Sequence, residues 1–169
     1  ALFTTAFCTA QPYWQKGDRL DYIGGFATVQ VQRQQIVYAH LDLDLGGSRF
    51  FTPKWAIGSE ASLSWDPLTQ SANATMRAQY LLLGRSDLPQ SLLADIHIGM
   101  GYHTNQTLRN TSFSSSDVKL GLGLQYTWWI SQGVGVYLWP QWSRTNGGPS
   151  GLWGWQFDVP IGVQWNWHK

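Results

Sequence analysis

Trp153-Gly-Trp155-Gln-Phe157-Asp-Val159-Pro-Ile161-Gly-Val163-Gln-Trp165-Asn-Trp167 decides the reading of this chain. Every odd position is aromatic or β-branched, while the even positions hold Gly154, Gln156, Asp158, Pro160, Gly162, Gln164 and Asn166. Successive side chains of a strand point to opposite faces. Alternation over so long a run therefore predicts a strand with one apolar and one polar face.

The same period of two runs upstream. Val118, Leu120, Leu122, Leu124, Tyr126 and Trp128 alternate with Lys119, Gly121, Gly123, Gln125 and Thr127. Leu92, Ala94, Ile96, Ile98, Met100 and Tyr102 alternate with Asp95, His97, Gly99, Gly101 and His103, and the odd positions of Trp55–Trp65 are mostly apolar. Strands are expected at 22–32, 35–46, 54–66, 72–84, 91–103, 116–130, 133–144 and 151–167. Ser131-Gln132 and Asp66–Gln70 read as turns, Thr104–Ser115 as the longest loop and Thr145–Ser150 as a Gly/Pro loop. These segments are longer than the five or six residues usual in a sandwich. The expected class is all-β: an antiparallel up-and-down barrel of about eight strands.

Composition says which face meets which solvent. Of 169 residues only 12% are charged, 11 Lys+Arg against 10 Asp+Glu, whereas a soluble domain carries about a quarter. The net charge of +1 leaves no basic field for nucleic acid, and 15% aromatic content excludes a disordered chain. No run of 18 apolar residues marks a membrane helix. From 120 to 169 the ionisable Asp, Glu, Lys and Arg residues are Arg144, Asp158 and Lys169 alone. A soluble barrel needs a charged exterior, so the apolar face is expected to look outward to lipid. Tryptophans supply a ruler. Trp55 and Trp65 lie ten residues apart, as do Trp155 and Trp165. Ten residues extend about 33 Å, which a tilt of about 40° shortens to about 25 Å, the height of the apolar band of a membrane barrel. Trp55, Trp65, Trp128, Trp155, Trp165 and Trp167 are accordingly the candidate membrane-interface residues.

With these features, residues 22–167 resemble the small bacterial outer-membrane β-barrels, the group holding the OmpA transmembrane domain, OmpX and the lipid A-modifying barrels. The most specific part is Val159–Trp167, similar to the C-terminal strand signal read by the outer-membrane assembly machinery, although Trp167 stands where Phe is usual and His168-Lys169 follow. The resemblance implies an outer-membrane location, contact with membrane lipid and lipopolysaccharide, and a periplasmic N-terminus. Residues 1–21 are expected to be an interfacial arm or signal remnant, with 22–169 as the barrel. Pro140 and Pro160 fall inside predicted strands, where each removes a ladder donor, and bulges are expected there.

An eight-stranded barrel is just wide enough for its own side chains. The inward set is expected to hold His40, Asp42, Asp44, Glu60, Arg77, Asp95, His97, His103, Lys119 and Asp158. Glu60, Arg77, Asp95, His97, Lys119 and Asp158 are read as an interior polar network, in which the opposite charges among Glu60, Arg77, Asp95 and Lys119 can pair across the lumen. A catalytic alternative uses His103 as base, a hydroxyl of Ser114, Ser115 or Ser116 as nucleophile and Asp117 as orienting carboxylate. His103-Thr-Asn105 is similar to the His-x-Ser-Asn stretch of lipid A 3-O-deacylases, but Asn105 replaces the serine and two strands follow the hairpin rather than one. Three functions stay open: a structural or surface-interaction barrel, a lipid A acyl-ester hydrolase, and a narrow solute channel. The lone Cys8 supplies neither a disulfide nor a zinc set, and no Walker loop, dinucleotide fingerprint or Gly-x-Ser-x-Gly elbow is present, so no metal and no cofactor is expected.

Overall fold

The wall is one continuous antiparallel sheet whose last segment pairs with its first. The computed structural model describes residues 14–32, 35–66, 69–84, 89–106, 112–146 and 153–167. The segments are β1 (Arg19–Gln32), β2 (Gln35–Phe50), β3 (Trp55–Trp65), β4 (Thr69–Gly84), β5 (Gln90–Gln106), β6 (Ser112–Trp129), β7 (Val134–Leu138), β8 (Gln141–Asn146), β9 (Trp153–Asp158) and β10 (Ile161–Trp167). They make an eight-stranded closed barrel, because β7 with β8, and β9 with β10, are each one strand interrupted at a proline.

The interruptions leave the register intact. β6 pairs Tyr126 with Leu138 and Gly123 with Gln141 in one unbroken alignment across Pro140. Each proline still accepts through its carbonyl: Leu124 N–H donates to Pro140 O at 3.0 Å and Trp139 N–H to Pro160 O at 2.9 Å. The bulges expected at these prolines are therefore absent. Proline lacks only the donor, and the strand can stay extended at its fixed φ. Register shifts lie instead at Gln30/Val31 and Leu81/Leu83.

Closure also sets the tilt. Stepping across the ladder from Leu20 through Ser48, Gly58, Arg77, His97, Gly121 and Ser143 leads to Gln156. The register that sets Asp21 against Trp165 then carries Gln156 to Gln30, not back to Leu20. This stagger is the shear of a closed barrel and inclines its strands by about 35–45°.

Burial is inverted relative to a water-soluble protein. Ile57, Met76, Ile96, Ile98, Met100, Leu120, Leu122, Phe157 and Ile161 are exposed on the outside, while Asp95, His97, Arg77, Gln79, Gln125 and Gln164 are buried within. Among the described residues buried polar side chains outnumber buried apolar ones. Trp55, Trp65, Trp128, Trp155 and Trp167 are exposed, and Trp165 is half-buried.

Several boundaries move. β2 runs on to Phe50 rather than ending at 46, and β4 begins at Thr69, inside the expected turn Asp66–Gln70. β5 and β6 pair from Gln90↔Trp128 out to Gln106↔Ser112, so most of the expected loop Thr104–Ser115 is strand. β1 begins at Arg19, inside the expected arm, and the side chain of Trp14 is buried in the barrel mouth rather than lying at an interface. The rest of the expected arm, and the connection at 33–34, lie outside the described residues.

Candidate functional site

Even positions of β1–β3, odd positions of β4–β8 and even positions of β9–β10 point inward, which collects most of the charged residues of the wall in one lumen, while Arg19, Asp21, Arg49 and Arg144 face outward. They are stacked in layers. At the end where β1 starts (the turn end), Leu20, Phe50, Ala56, Leu81, Leu93 and Trp129 form an apolar cluster capped by Trp14. The Trp14 ring lies 4.6 Å from Phe50 and meets Trp129 edge-on at 5.7 Å. A tight turn holds it there. Gly17, at φ 101, reaches the left-handed region open to glycine, and its N–H donates to Phe50 O at 2.7 Å. Asp18 Oδ2 accepts from Gln15 N–H at 2.8 Å.

Above this cluster, amides bridge the lumen. Gln79 Nε2 donates to Gln125 Oε1 at 3.5 Å, Gln125 Nε2 to Gln164 Oε1 at 2.8 Å, and Gln164 Nε2 to Thr127 Oγ1 at 2.6 Å.

Next comes a charged layer. The Arg77 guanidinium pairs with Glu60 and, at 3.3 Å, with Asp95, and it sits 4.1 Å over the Trp139 ring. Asp95 also accepts from Trp139 Nε1 at 2.7 Å and meets His97 Nδ1 at 2.8 Å, while Tyr22 OH donates to Glu60 at 3.0 Å. Tyr22, Tyr137 and Trp139 touch edge-to-face at 5.2–6.0 Å. Glycines on the same inward face make room for these rings and carboxylates: a Cβ at Gly24 would strike the Tyr137 hydroxyl, and one at Gly123 would meet Asp95 and Trp139.

Toward the other end (the loop end) the lumen widens into a cavity of about 310 Å³. Its lining includes Asp42 and Asp44 of β2, Ser62 and Ser64 of β3, Asp117 and Lys119 of β6 and Asp158 of β9. Ser71 Oγ donates to Ser64 Oγ at 3.0 Å, and Asn73 Nδ2 to Ser62 Oγ at 3.1 Å. His103 Nε2 lies 3.1 Å from Asp117 Oδ2, and Lys119 Nζ lies 3.8 Å from Asp158.

Each expected site residue can now be placed. Glu60, Arg77, Asp95 and His97 come together in one hydrogen-bonded group. Lys119 and Asp158 pair separately in the cavity, so Lys119 does not take its partner from Glu60 or Asp95. His103 and Asp117 meet. Of the three candidate serines, Ser114 and Ser116 fall at outward positions and are exposed, leaving Ser115 in the inward row, directly opposite His103. The His40 side chain lies outside the described set. Sequence reasoning missed Trp14, Tyr22, Trp129, Tyr137 and Trp139. A signal existed for two of them: in Trp128-Trp129 adjacent rings must face opposite ways, and Trp139 follows Tyr137 in the row that alternates with Val136 and Leu138. Among the described residues no group of His, Cys, Asp or Glu is placed to hold a metal ion.

Comparison with known proteins supplies structural neighbours rather than sequence relatives. No protein-family model matches the chain, and no curated protein does. Among solved structures, the N-terminal β-barrel domain of Pseudomonas aeruginosa OprF matches with a TM-score of 0.57 at 11% identity, over 90% of this chain and 98% of that one. Neisserial surface protein A matches at 0.60 and 7%, over 88% and 94%. The outer membrane protein OprG of Pseudomonas aeruginosa matches at 0.53 and 13%, over 96% and 100%. This is the fold of the small outer-membrane β-barrels. The likeness spans nearly the whole chain and is a likeness of fold.

Proposed function

We propose that the chain is an integral β-barrel of a bacterial outer membrane which does not conduct, and which acts through its loop end and its contact with lipopolysaccharide. The cross-lumen stack carries this reading. Trp14 with Trp129, the Gln79–Gln125–Gln164 chain, and the Arg77–Glu60–Asp95 group over Trp139 occupy successive levels of a barrel already narrow for its side chains. The exposed apolar exterior supports the membrane location, since such a surface is stable against lipid and not against water. Outside the barrel, Arg144 lies 5.4 Å over the Trp155 ring near the loop end, a cation and an amphipathic ring suited to a lipid phosphate. Trp167, exposed at the end of β10, is the residue the assembly machinery would meet.

In planar bilayers the refolded protein should raise no discrete conductance steps while showing heat-modifiable gel migration. Stable unitary openings from the folded form would overturn the closed reading.

A second reading rests on the bond between His103 and Asp117. The pair is oriented as a base with its carboxylate, and Ser115 faces His103 from the neighbouring strand. This would make the cavity rim a lipid A acyl-ester hydrolase site. Purified lipid A incubated with the folded barrel should then lose an acyl chain, and His103→Ala should abolish the loss. Unchanged lipid A with the wild-type protein removes this reading.

A further inference from the structure

The lining of the loop-end cavity brings together six carboxylates, those of Asp42, Asp44, Glu60, Asp66, Asp117 and Asp158, with Lys119 and His103. Glu60 at its floor is met by Arg77, Asp117 by His103 and Asp158 by Lys119. Asp44 differs. It is 6% exposed and lines the cavity, and it makes neither hydrogen bond nor ion pair with any described residue. An ionised carboxylate buried to that degree is costly, so it takes up either a proton or a cation.

The shape of the charge distribution selects the cation. Asp42 also faces the cavity, two positions from Asp44 on β2. Two residues of strand separate such side chains by about 6.6 Å. Ser62 and Ser64 lie directly beside them on β3, so the wall offers carboxylates and hydroxyls in a row rather than around a point. In keeping with this, no cluster among the described residues converges on a metal-ion position. A row suits a chain of ammonium groups joined by methylenes, each ammonium donating to a different carboxylate. Phe26 and Pro160 in the same lining give the methylenes an apolar surface. The volume of about 310 Å³ lies at the small end of ligand pockets, of the order of 300–1,000 Å³.

We propose that the loop-end cavity is a binding site for a short aliphatic polyamine, held by one ammonium on Asp44 and a second toward Asp42. The site goes beyond the non-conducting reading and does not depend on it, because binding and conductance are measured separately.

The test is calorimetric titration of spermidine into the full chain, folded in uncharged maltoside micelles at 150 mM NaCl. Saturable binding of one spermidine per barrel is expected. Asp44→Asn should weaken it at least tenfold, whereas Asp21→Asn, on the outer face at the turn end, should leave it unchanged. Asp44→Asn removes a carboxylate without a partner, so this variant should fold, and heat-modifiable migration verifies that it has. Asp42→Asn serves as a second variant and should weaken binding several-fold. Mg²⁺ should displace spermidine only at far higher concentration. Absence of saturable binding to the wild type, equal binding by wild type and Asp44→Asn, or displacement by equimolar Mg²⁺ would each overturn the proposal.

Discussion

Arg77→Met should cost the folded barrel about 3–5 kcal/mol, the typical penalty for removing one partner of a buried ion pair. Methionine fills much of the volume over Trp139 but leaves Glu60 and Asp95 facing each other's layer with no cation. Glu60 keeps only the Tyr22 hydroxyl, and Asp95 keeps Trp139 Nε1 and His97. The loss should appear as a fall in the urea midpoint at which the fast-migrating folded band disappears. The decisive control is rescue. Glu60→Gln and Asp95→Asn in the Arg77→Met background remove the stranded charges and should recover most of the loss, since an uncharged group of similar shape is often as stable as the ion pair. Arg77→Lys should recover little, because a single ammonium cannot serve two carboxylates and a ring face with the planar fork of a guanidinium. A triple variant no more stable than Arg77→Met alone would show that packing, not charge, sets the cost.

Trp14→Ala should rank second, at about 3–5 kcal/mol for truncating a buried ring in a packed cluster. Trp14 is 4% exposed and touches both Phe50 and Trp129, so its removal opens the turn end of the lumen. The same urea titration measures it, with Lys16→Ala as the comparison. Lys16 is exposed in the same turn and should change stability by less than about 0.5 kcal/mol. A Trp14→Ala barrel as stable as the Lys16→Ala one would mean that the apolar cluster closes without its cap.

Much of the wall could be read from the sequence because a strand's two faces are written in alternate letters. Leu92–Tyr102 and Val118–Trp128 needed no more than parity to orient every side chain, and the inward assignment of Asp95, His97 and Lys119 followed. Strand ends were less legible. Thr104–Ser115 is polar and looks like loop, yet polar residues pair as well as apolar ones once a hairpin extends beyond the apolar band. Pro140 and Pro160 misled because a missing donor was equated with a broken register. The expected Lys119 pairing failed for a related reason. Parity tells which way a side chain points but not at what height it sits, and the stagger of the strands places Lys119 at the level of Asp158 rather than Asp95. Trp14 escaped because one residue in an irregular segment has no period to betray it.

The seat of Trp14 also orders events in time. Its partners Phe50 and Trp129 belong to β2 and β6, so the place it fills does not exist until most of the wall has been made. The first strand likewise receives its second neighbour, β10, only when the last strand arrives. Full burial of the Trp14 ring therefore needs β6 in place as well as β2, so its protection from water reports that the mouth of the cylinder has formed.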